Sequence, residues 1–409
     1  MKIEDYIASQ IGTTLRNPMG ILEHPFIVPG GIFHDELWDW DSFWIAKGLL
    51  LCPAFFSHES RATWAAHAVG SWRNFFESQA PNGTVSIMIK SDNVDFFSCR
   101  NDDQRENNQA KPVFAQFALD ISEATGDYDW VAPYFDSLLL FYQRWESRYQ
   151  SPCGLFVWGS DVAIGVDCDP TTYGRPEFSS ANLLLNCLFH KDLLAAAKLA
   201  RELGRTSDAI ALTQRAQDLA AAIIRECWDD LDGFFYTVDV QCADHRDHYL
   251  PGIQKGMDMG WRSLPLKVRM FTGFLPLWSG VATPEQAAIL VNSHLRDERS
   301  FSANWGIRSL SKTERMYSPG TNSANPSNWL GPIWIVANYM IYEGLRNYGY
   351  HSDAATLARK TRALLENDLA ATGTLHECYH PDSAQPNFNS GFISWNVLAL
   401  LMETEDQTS

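Results

Sequence analysis

At 409 residues the chain can bury a large core, and a formal charge of -17 with a pI near 5.0 excludes nucleic acid, whose phosphates need clustered Lys and Arg. No apolar run approaches the roughly 20 residues that span a bilayer, and Met1–Asp5 lacks the charged-then-apolar build of a secretory signal, so the expected place is the cytoplasm, away from membranes. Eight cysteines scattered without a C-x-x-C pair suggest reduced thiols, and nothing calls for a metal or a cofactor. A homo-oligomer is compatible with the sequence.

Aromatic residues make up 13% of the chain, with 15 Trp, several packed into short segments that also carry Asp, Asn and Pro. A core needs Phe and Leu more than Trp. Trp and Tyr beside short polar side chains form stacking platforms for sugar rings, which are apolar on their C–H faces and polar at their hydroxyls.

The first such segment runs from Pro29-Gly30-Gly31 to Trp38-Asp39-Trp40-Asp41-Ser42-Phe43-Trp44. Its residues read equally as a helix start with Asp39 or Asp41 as cap and as a site, with Asp41 accepting from a hydroxyl beside Trp38, Trp40 or Trp44. Apolar residues at three- and four-residue steps then predict a helix over Glu59–Gln79, and Gly83–Ile89 reads as a short strand. Asn107-Asn108-Gln109-Ala110-Lys111-Pro112 precedes an amphipathic helix; capping is its simpler reading, with Gln109 and Lys111 as secondary site residues.

Helical spacing returns over Asp127–Tyr149, and Leu155–Val157 is strand-like. Between residues 161 and 176 lie Asp161, Asp167 and Asp169, followed by Tyr173-Gly174-Arg175-Pro176. The calcium-loop pattern is absent there, and three close acids offer both a carboxyl lifted in pKa and one that stays ionised. Helices are predicted over Glu177–Leu203, Thr206–Trp228, Pro284–Leu295, Trp334–Tyr348 and Ser352–Leu369, with a small hairpin at Gly233–Asp239. Trp329, in Asn328-Trp329-Leu330-Gly331-Pro332-Ile333-Trp334, sits at a loop-to-helix junction. Finally His376-Glu377-Cys378-Tyr379-His380-Pro381 leads to Gly391-Phe392-Ile393-Ser394-Trp395, where Glu377 reads either as a surface residue or as a water-activating base.

Gly126, Gly204 and Gly349 each end one helix shortly before an Asp or Ser placed to cap the next. These are corners of helical hairpins. Solenoids repeat at regular periods, whereas these corners are unevenly spaced and their loops are long and chemically rich. The expected fold is therefore all-α, a closed (α/α)6 barrel with small β-hairpins in its loops, as a single catalytic domain over residues 1–409.

Two acid-bearing segments far apart in sequence, both set among aromatics and glycines, are what sugar hydrolysis requires if they meet across one pocket. The W-D-W-D-S-F-W, G-V-D-x-D-P, N-W-L-G-P-I-W and G-F-x-S-W segments, with Glu377 and its flanks, occur in an order that resembles glycoside hydrolase family 63. The resemblance covers roughly residues 25–400. It implies an inverting α-glycosidase on an (α/α)6 barrel, with Asp167 as general acid and Glu377 as general base. Cys168 departs from the family pattern, standing where Asn is usual after the acid.

The further match of Tyr173–Pro176 is to the short bacterial members that act on mannosylglycerate or glucosylglycerate. That implies a small-molecule substrate with a carboxylate aglycone, for which a planar Arg suits better than Lys, so Arg175 and Tyr173 are the expected partners. Trp334, His376 and Trp395 complete the expected binding residues. An inverting route needs the carboxyls roughly 6.5–9.5 Å apart, with room for water. The alternatives are an α-glucosidase of the trehalase or processing-glucosidase kind, a sugar 2-epimerase on the same toroid using His34, His376 or His380, and a helical scaffold with an open groove.

Overall fold

Helical segments that succeed one another in the chain pack side by side until the last meets the first. The computed structural model describes residues 2–52, 58–100, 108–242, 261–321 and 325–404. Among these, the Asp39–Leu51 helix packs on Phe114–Thr125, that on Leu183–Glu202, and that on the short Leu275–Trp278 helix. Leu275–Trp278 packs on Ile335–Asn347, which meets the 3-10 segment Ser394–Leu401, and this returns to Asp39–Leu51. The ring is closed. Outer helices back it: His58–Glu77, Phe135–Tyr149, Thr206–Cys227, Pro284–Ile289 and His351–Thr372, the last of which also meets the N-terminal Ile3–Gln10.

The two layers differ in sequence for a physical reason. In the outer Thr206–Cys227 helix the buried residues Ala209, Leu212, Ala216, Leu219, Ala222, Ile223 and Cys227 lie along one side, and the opposite side faces water. In the inner Asp39–Leu51 helix, 11 of 13 residues are buried, including Asp39, Asp41 and Ser42. A helix enclosed on every side shows no apolar stripe, which is why this one has no clear helical period in the sequence.

The three predicted corners hold: Gly126, Gly204 and Gly349 have φ of 73°, 72° and 78°, the left-handed region open to glycine. Their expected Asp or Ser caps do not. Arg205 and Tyr350 occupy the N-cap positions without a capping side chain, while Asp208 and Asp353 fall inside the first turn and pair with Arg205 and Arg296. There they still face the positive helix end.

Several boundaries shift. The helix expected from Glu177 begins at Leu183, because the Asn182 side chain accepts from Leu184 N at 2.9 Å and Ser180–Ala181 instead pairs with Val238–Asp239. Pro133 confines Asp129–Tyr134 to a 3-10 turn before Phe135 opens the α-helix. Of Gly83–Ile89 only the end joins a strand, Met88–Lys90, antiparallel to Glu36–Trp38. Leu155–Val157 forms no strand; Phe156 makes a lone bridge to Gln150. The strands that do form, such as Trp228–Asp229 with Phe234–Phe235, are loop ornaments.

Cys52, Cys99, Cys153, Cys168, Cys187, Cys227 and Cys378 form no disulfide. Among the described residues no helix is long and apolar enough to cross a membrane.

Closure of the ring depends on close approach of its first and last inner segments. A Cβ on Gly48 would meet Val397 Cγ1 at 2.5 Å, inside contact distance and against a stiff side chain. Gly48→Ala is expected to cost about 1–3 kcal/mol through overpacking despite its better helix propensity, and Val397→Ala should recover much of that cost. A double-mutant cycle in urea reads the coupling.

Candidate active site

The inner segments bring their N-terminal ends to one mouth. Trp40 and Asp41 open Asp39–Leu51, Lys111 shortly precedes Phe114–Thr125, Trp334 precedes Ile335–Asn347, and Trp395 opens Ser394–Leu401. All of them line one cavity of about 480 Å³, with Asp167 and Glu377 among its other walls. A volume of this size suits a sugar with a small aglycone.

The wall bearing Asp167 is shaped by its neighbours. Gly165 has φ of 68°, and a Cβ there would press on Trp40 and on Lys111 Cε at 3.0–3.1 Å, so only glycine lets the segment reach the mouth. Asp167 faces the cavity, and Asn325 Nδ2 donates to its Oδ2 at 3.0 Å. Asp167 is open to the cavity by accessible area, yet the protein mass around it strips enough solvent to push its carboxyl above the ordinary range; the Asn325 amide and the Lys111 charge oppose that, and Asp161 adds to it.

The three clustered aspartates thus take different places. Asp161 and Asp167 line the cavity. Asp169 is buried, accepting from Thr171 N and Oγ1 at 2.7 Å and from Asn182 Nδ2 at 3.0 Å, so it braces the turn. Cys168 also lines the cavity, with φ of 63°.

Glu377 is 4% exposed. Ser327 Oγ donates to its Oε1 at 2.7 Å, and Asn389 Nδ2 to its Oε2 at 3.0 Å. Burial raises its pKa to about 7 against those two donors, with the charges of Asp41 and Asp167 adding to the rise. That Asp167 is felt at Glu377 shows the two acids share one electrostatic environment. Their segments are also knitted together: Trp329 N donates to Asp167 O at 3.0 Å, and the Ile333 and Tyr379 backbones exchange bonds at 2.8 and 3.1 Å.

Asp41 completes the acidic set. It accepts from Ser394 Oγ at 2.8 Å, and burial lifts it to about 7. The one cation lining the cavity among the described residues is Lys111, whose Nζ lies 3.2 Å from Asp39 Oδ1 and 5.0 Å from the Trp40 ring centre. Trp38, Trp40, Trp334, Trp395 and Tyr173 line the cavity; Tyr173, 62% exposed, stands at its rim.

Five expected binding residues do not line it. Trp44 lies deeper on its helix, packed against Trp278 and Tyr339 at 6.1 Å. Trp329 stacks between Phe271 and Trp334, at 5.1 and 4.1 Å, and so supports the platform from behind. Gln109 is buried and donates to Phe141 O. The His376 ring turns from the cavity to Asp368, with Nδ1 2.9 Å from Oδ2. Arg175 is taken by Asp239 and by Ser180 Oγ, so its guanidinium fastens the 173–176 turn to the Val238–Asp239 strand. Local sequence could not show these partners, which come from distant segments. Asn107, in the second expected site segment, lies outside the described residues.

Asn325 and Ser327 were missed although they immediately precede the Asn328–Trp334 motif, and Asn389 and Ser394 were visible only as parts of the last segment. Phe33, Phe97 and Phe392 join the walls. No histidine of the described residues lines the cavity, and none of these residues form a group of three His, Cys, Asp or Glu disposed to hold a metal ion.

A closed toroid with buried carboxyls at the inner-helix mouth places the chain among the (α/α)6-barrel proteins. Superposition on the glycoside hydrolase family 63 mannosylglycerate hydrolase from Thermus thermophilus, solved in complex with glucose, gives a TM-score of 0.71 at 21% identity, covering 96% of this chain and 98% of that one. Neutral trehalase Nth1 from Saccharomyces cerevisiae gives 0.63 at 18% identity, covering 98% and 79%. The chain belongs to the family described as mannosylglycerate hydrolase MGH1-like glycoside hydrolase domain, whose model matches residues 35–395. This bears out the resemblance drawn from the motifs.

Among curated relatives, a mannosylglycerate hydrolase of Thermus thermophilus is 28% identical over 177 residues, 43% of this chain, and mannosylglycerate hydrolase MGH1 of Selaginella moellendorffii is 27% identical over 247 residues, 57% of it. The matches span 34% and 41% of those relatives' own lengths. A trehalase model also matches residues 8–55.

Holding Glu377 at about 7 instead of 4.5 costs stability wherever the group must ionise. The folded state binds its proton more tightly than the unfolded chain, so this cost is absent below about pH 4.5 and reaches about 3 kcal/mol above pH 7. Glu377→Gln is therefore expected to melt higher than the parent protein at pH 8, with the gap closing by pH 4.5. Calorimetry across that range measures it.

Proposed function

We propose that the protein is an inverting α-glycosidase that hydrolyses a small α-mannoside or α-glucoside, with mannosylglycerate and glucosylglycerate as the foremost substrates. The observation that carries this reading is that Asp167 and Glu377, from segments far apart in the chain, line one aromatic cavity and both hold their protons more tightly than ordinary carboxyls. Family membership supports the substrate class. A glycerate aglycone accords with the Thermus thermophilus relative of known structure, which has also been solved in complex with Tris and D-glycerate.

In this mechanism Asp167 acts as general acid. Its raised pKa keeps a proton available, which passes to the glycosidic oxygen as the C–O bond breaks. Glu377, ionised, takes a proton from a water that attacks the anomeric carbon from the opposite face, and hydroxide adds there with inversion. Trp40, Trp334 and Trp395 offer apolar faces to the ring, and Asp41 accepts from a hydroxyl.

Among the described residues His34, His376 and His380 do not line the cavity, so the histidines named for the epimerase alternative lend it no support. Arg175, held by Asp239, leaves Tyr173 and groups at the rim to meet the aglycone.

Asp167→Asn and Glu377→Gln are each expected to lower kcat by at least about 10³-fold, with substrate binding retained. Release of free sugar from mannosylglycerate, glucosylglycerate, trehalose and kojibiose, with NMR of the first-formed anomer, reads both substrate and stereochemistry. A retained anomer, or full activity in either variant, would overturn the assignment. Arg175→Ala should leave the preference among these substrates unchanged.

A further inference from the structure

We propose that the segment Asn325-Pro326-Ser327 is the positioning element of the reaction, one short stretch that serves the two proton transfers with two chemically different donors. This rests on the roles of Asp167 and Glu377 given above. Asn325 reaches Asp167 Oδ2 at 3.0 Å, and two residues later Ser327 reaches Glu377 Oε1 at 2.7 Å.

The stretch is braced on all sides. Ser327 N donates to Asn325 Oδ1 at 3.0 Å, Asn328 Nδ2 donates to Asn325 O at 3.1 Å, and the Cys378 thiol reaches Pro326 O at 3.9 Å. Proline fixes φ between the two donors. Their spacing is therefore built in, and neither side chain can swing without disturbing the other.

The difference between the donors matches the difference between the acids. An amide NH2 only donates, and the Asn325 carbonyl is already engaged by Ser327 N. Asn325 can thus stabilise Asp167 only as a carboxylate, the form that appears as its proton passes to the leaving oxygen. Its bond strengthens with the charge that develops in the transition state.

A serine hydroxyl both donates and accepts. Ser327 donates to ionised Glu377 before the reaction and can accept from the carboxyl once Glu377 has taken the water's proton. The proton balance closes: one proton leaves Asp167 for the aglycone oxygen, one leaves water for Glu377, and hydroxide adds to the sugar.

Other groups face the same acids. Lys111 and Asp161 act on Asp167, and the Cys168 thiol, which the Asn325 side chain also reaches, lies beside it, whereas Asp41, Asp167 and Cys378 lie about Glu377. None of them touches both acids through one rigid stretch of chain. Removing either donor should therefore move the limb that belongs to its own acid.

The test is the pH profile of kcat/KM for the substrate on which the parent enzyme is active. Ser327→Ala should move the acidic limb upward by roughly one pH unit, because Glu377 loses a bond to its ionised form, and Ser327→Thr should restore it. Asn325→Ala should raise the alkaline limb by a similar amount and lower kcat about 10- to 100-fold with KM little changed. Asn325→Asp, which sets a like charge beside Asp167, should raise that limb further and leave the acidic limb in place, and it carries the test if the alanine variants fail to fold.

Unmoved limbs, or one limb responding to both positions, would overturn the proposal. Activity surviving in Asp167→Asn or Glu377→Gln would instead overturn the roles on which it rests.

Discussion

The constraint on which the site depends is the gathering of three carboxyls around one aromatic cavity, Asp41 and Glu377 buried in its wall and Asp167 open to it. Each is pushed toward its neutral form by loss of water, and each is offset by few donors: Ser394 for Asp41, Asn325 for Asp167, Ser327 and Asn389 for Glu377. Such donors must be held at fixed places by distant segments, since a buried acid with a wandering partner would have no defined proton affinity. The ring of inner segments provides this. It brings Ser394 from the C-terminal end of the chain onto Asp41 near the N-terminal end, and the packing of Gly48 against Val397 lies on the same pair of segments.

The aromatic wall follows from that constraint. Water that could solvate the acids is displaced by Trp40, Trp334 and Trp395, and Trp329 stacks behind Trp334 at an interplanar angle of 4°. A two-deep stack fixes the front ring more firmly than a single one, because the front indole has a flat partner of equal size behind it. The large Trp content thus divides into rings that face the cavity and rings that hold those. Trp329 and Trp44 belong to the second group, and the sequence did not separate them, because both groups sit in the same short motifs.

What was legible follows from where information is local. Helical hairpin corners depend on one glycine in the left-handed region, so Gly126, Gly204 and Gly349 were readable. The outer helices carry a stripe and were readable too, although the one expected from Asp127 opens as an α-helix only at Phe135, after the turn around Pro133. The inner Asp39–Leu51 helix shows no such stripe, being buried on nearly every side. At the site, Asp167 and Glu377 stood out through ordered motifs. Arg175 was misplaced because its partner, Asp239, lies in a separate hairpin, and only tertiary structure shows that a guanidinium already holding a carboxylate is engaged. His376 was misplaced for the same reason, its ring being held by Asp368.

Lys111 links the acids to the aromatic wall. It is buried, its charge is balanced by fully buried Asp39, and its ammonium lies over Trp40. Breaking such a pair by removing one partner leaves an uncompensated buried charge, so the pair is fixed in place once the fold is made. From there Lys111 lowers the proton affinity of both Asp41 and Asp167, while Asp39 raises that of Asp41. Within the pair, then, Lys111 acts on both acids and Asp39 opposes it at Asp41. A segment whose simpler reading was helix capping, Gln109-Ala110-Lys111-Pro112, thereby carries the only described cation at the mouth. Its Lys111 backbone N–H, donating to Asp39 Oδ2 at 2.8 Å, is what keeps that carboxylate turned to the ammonium.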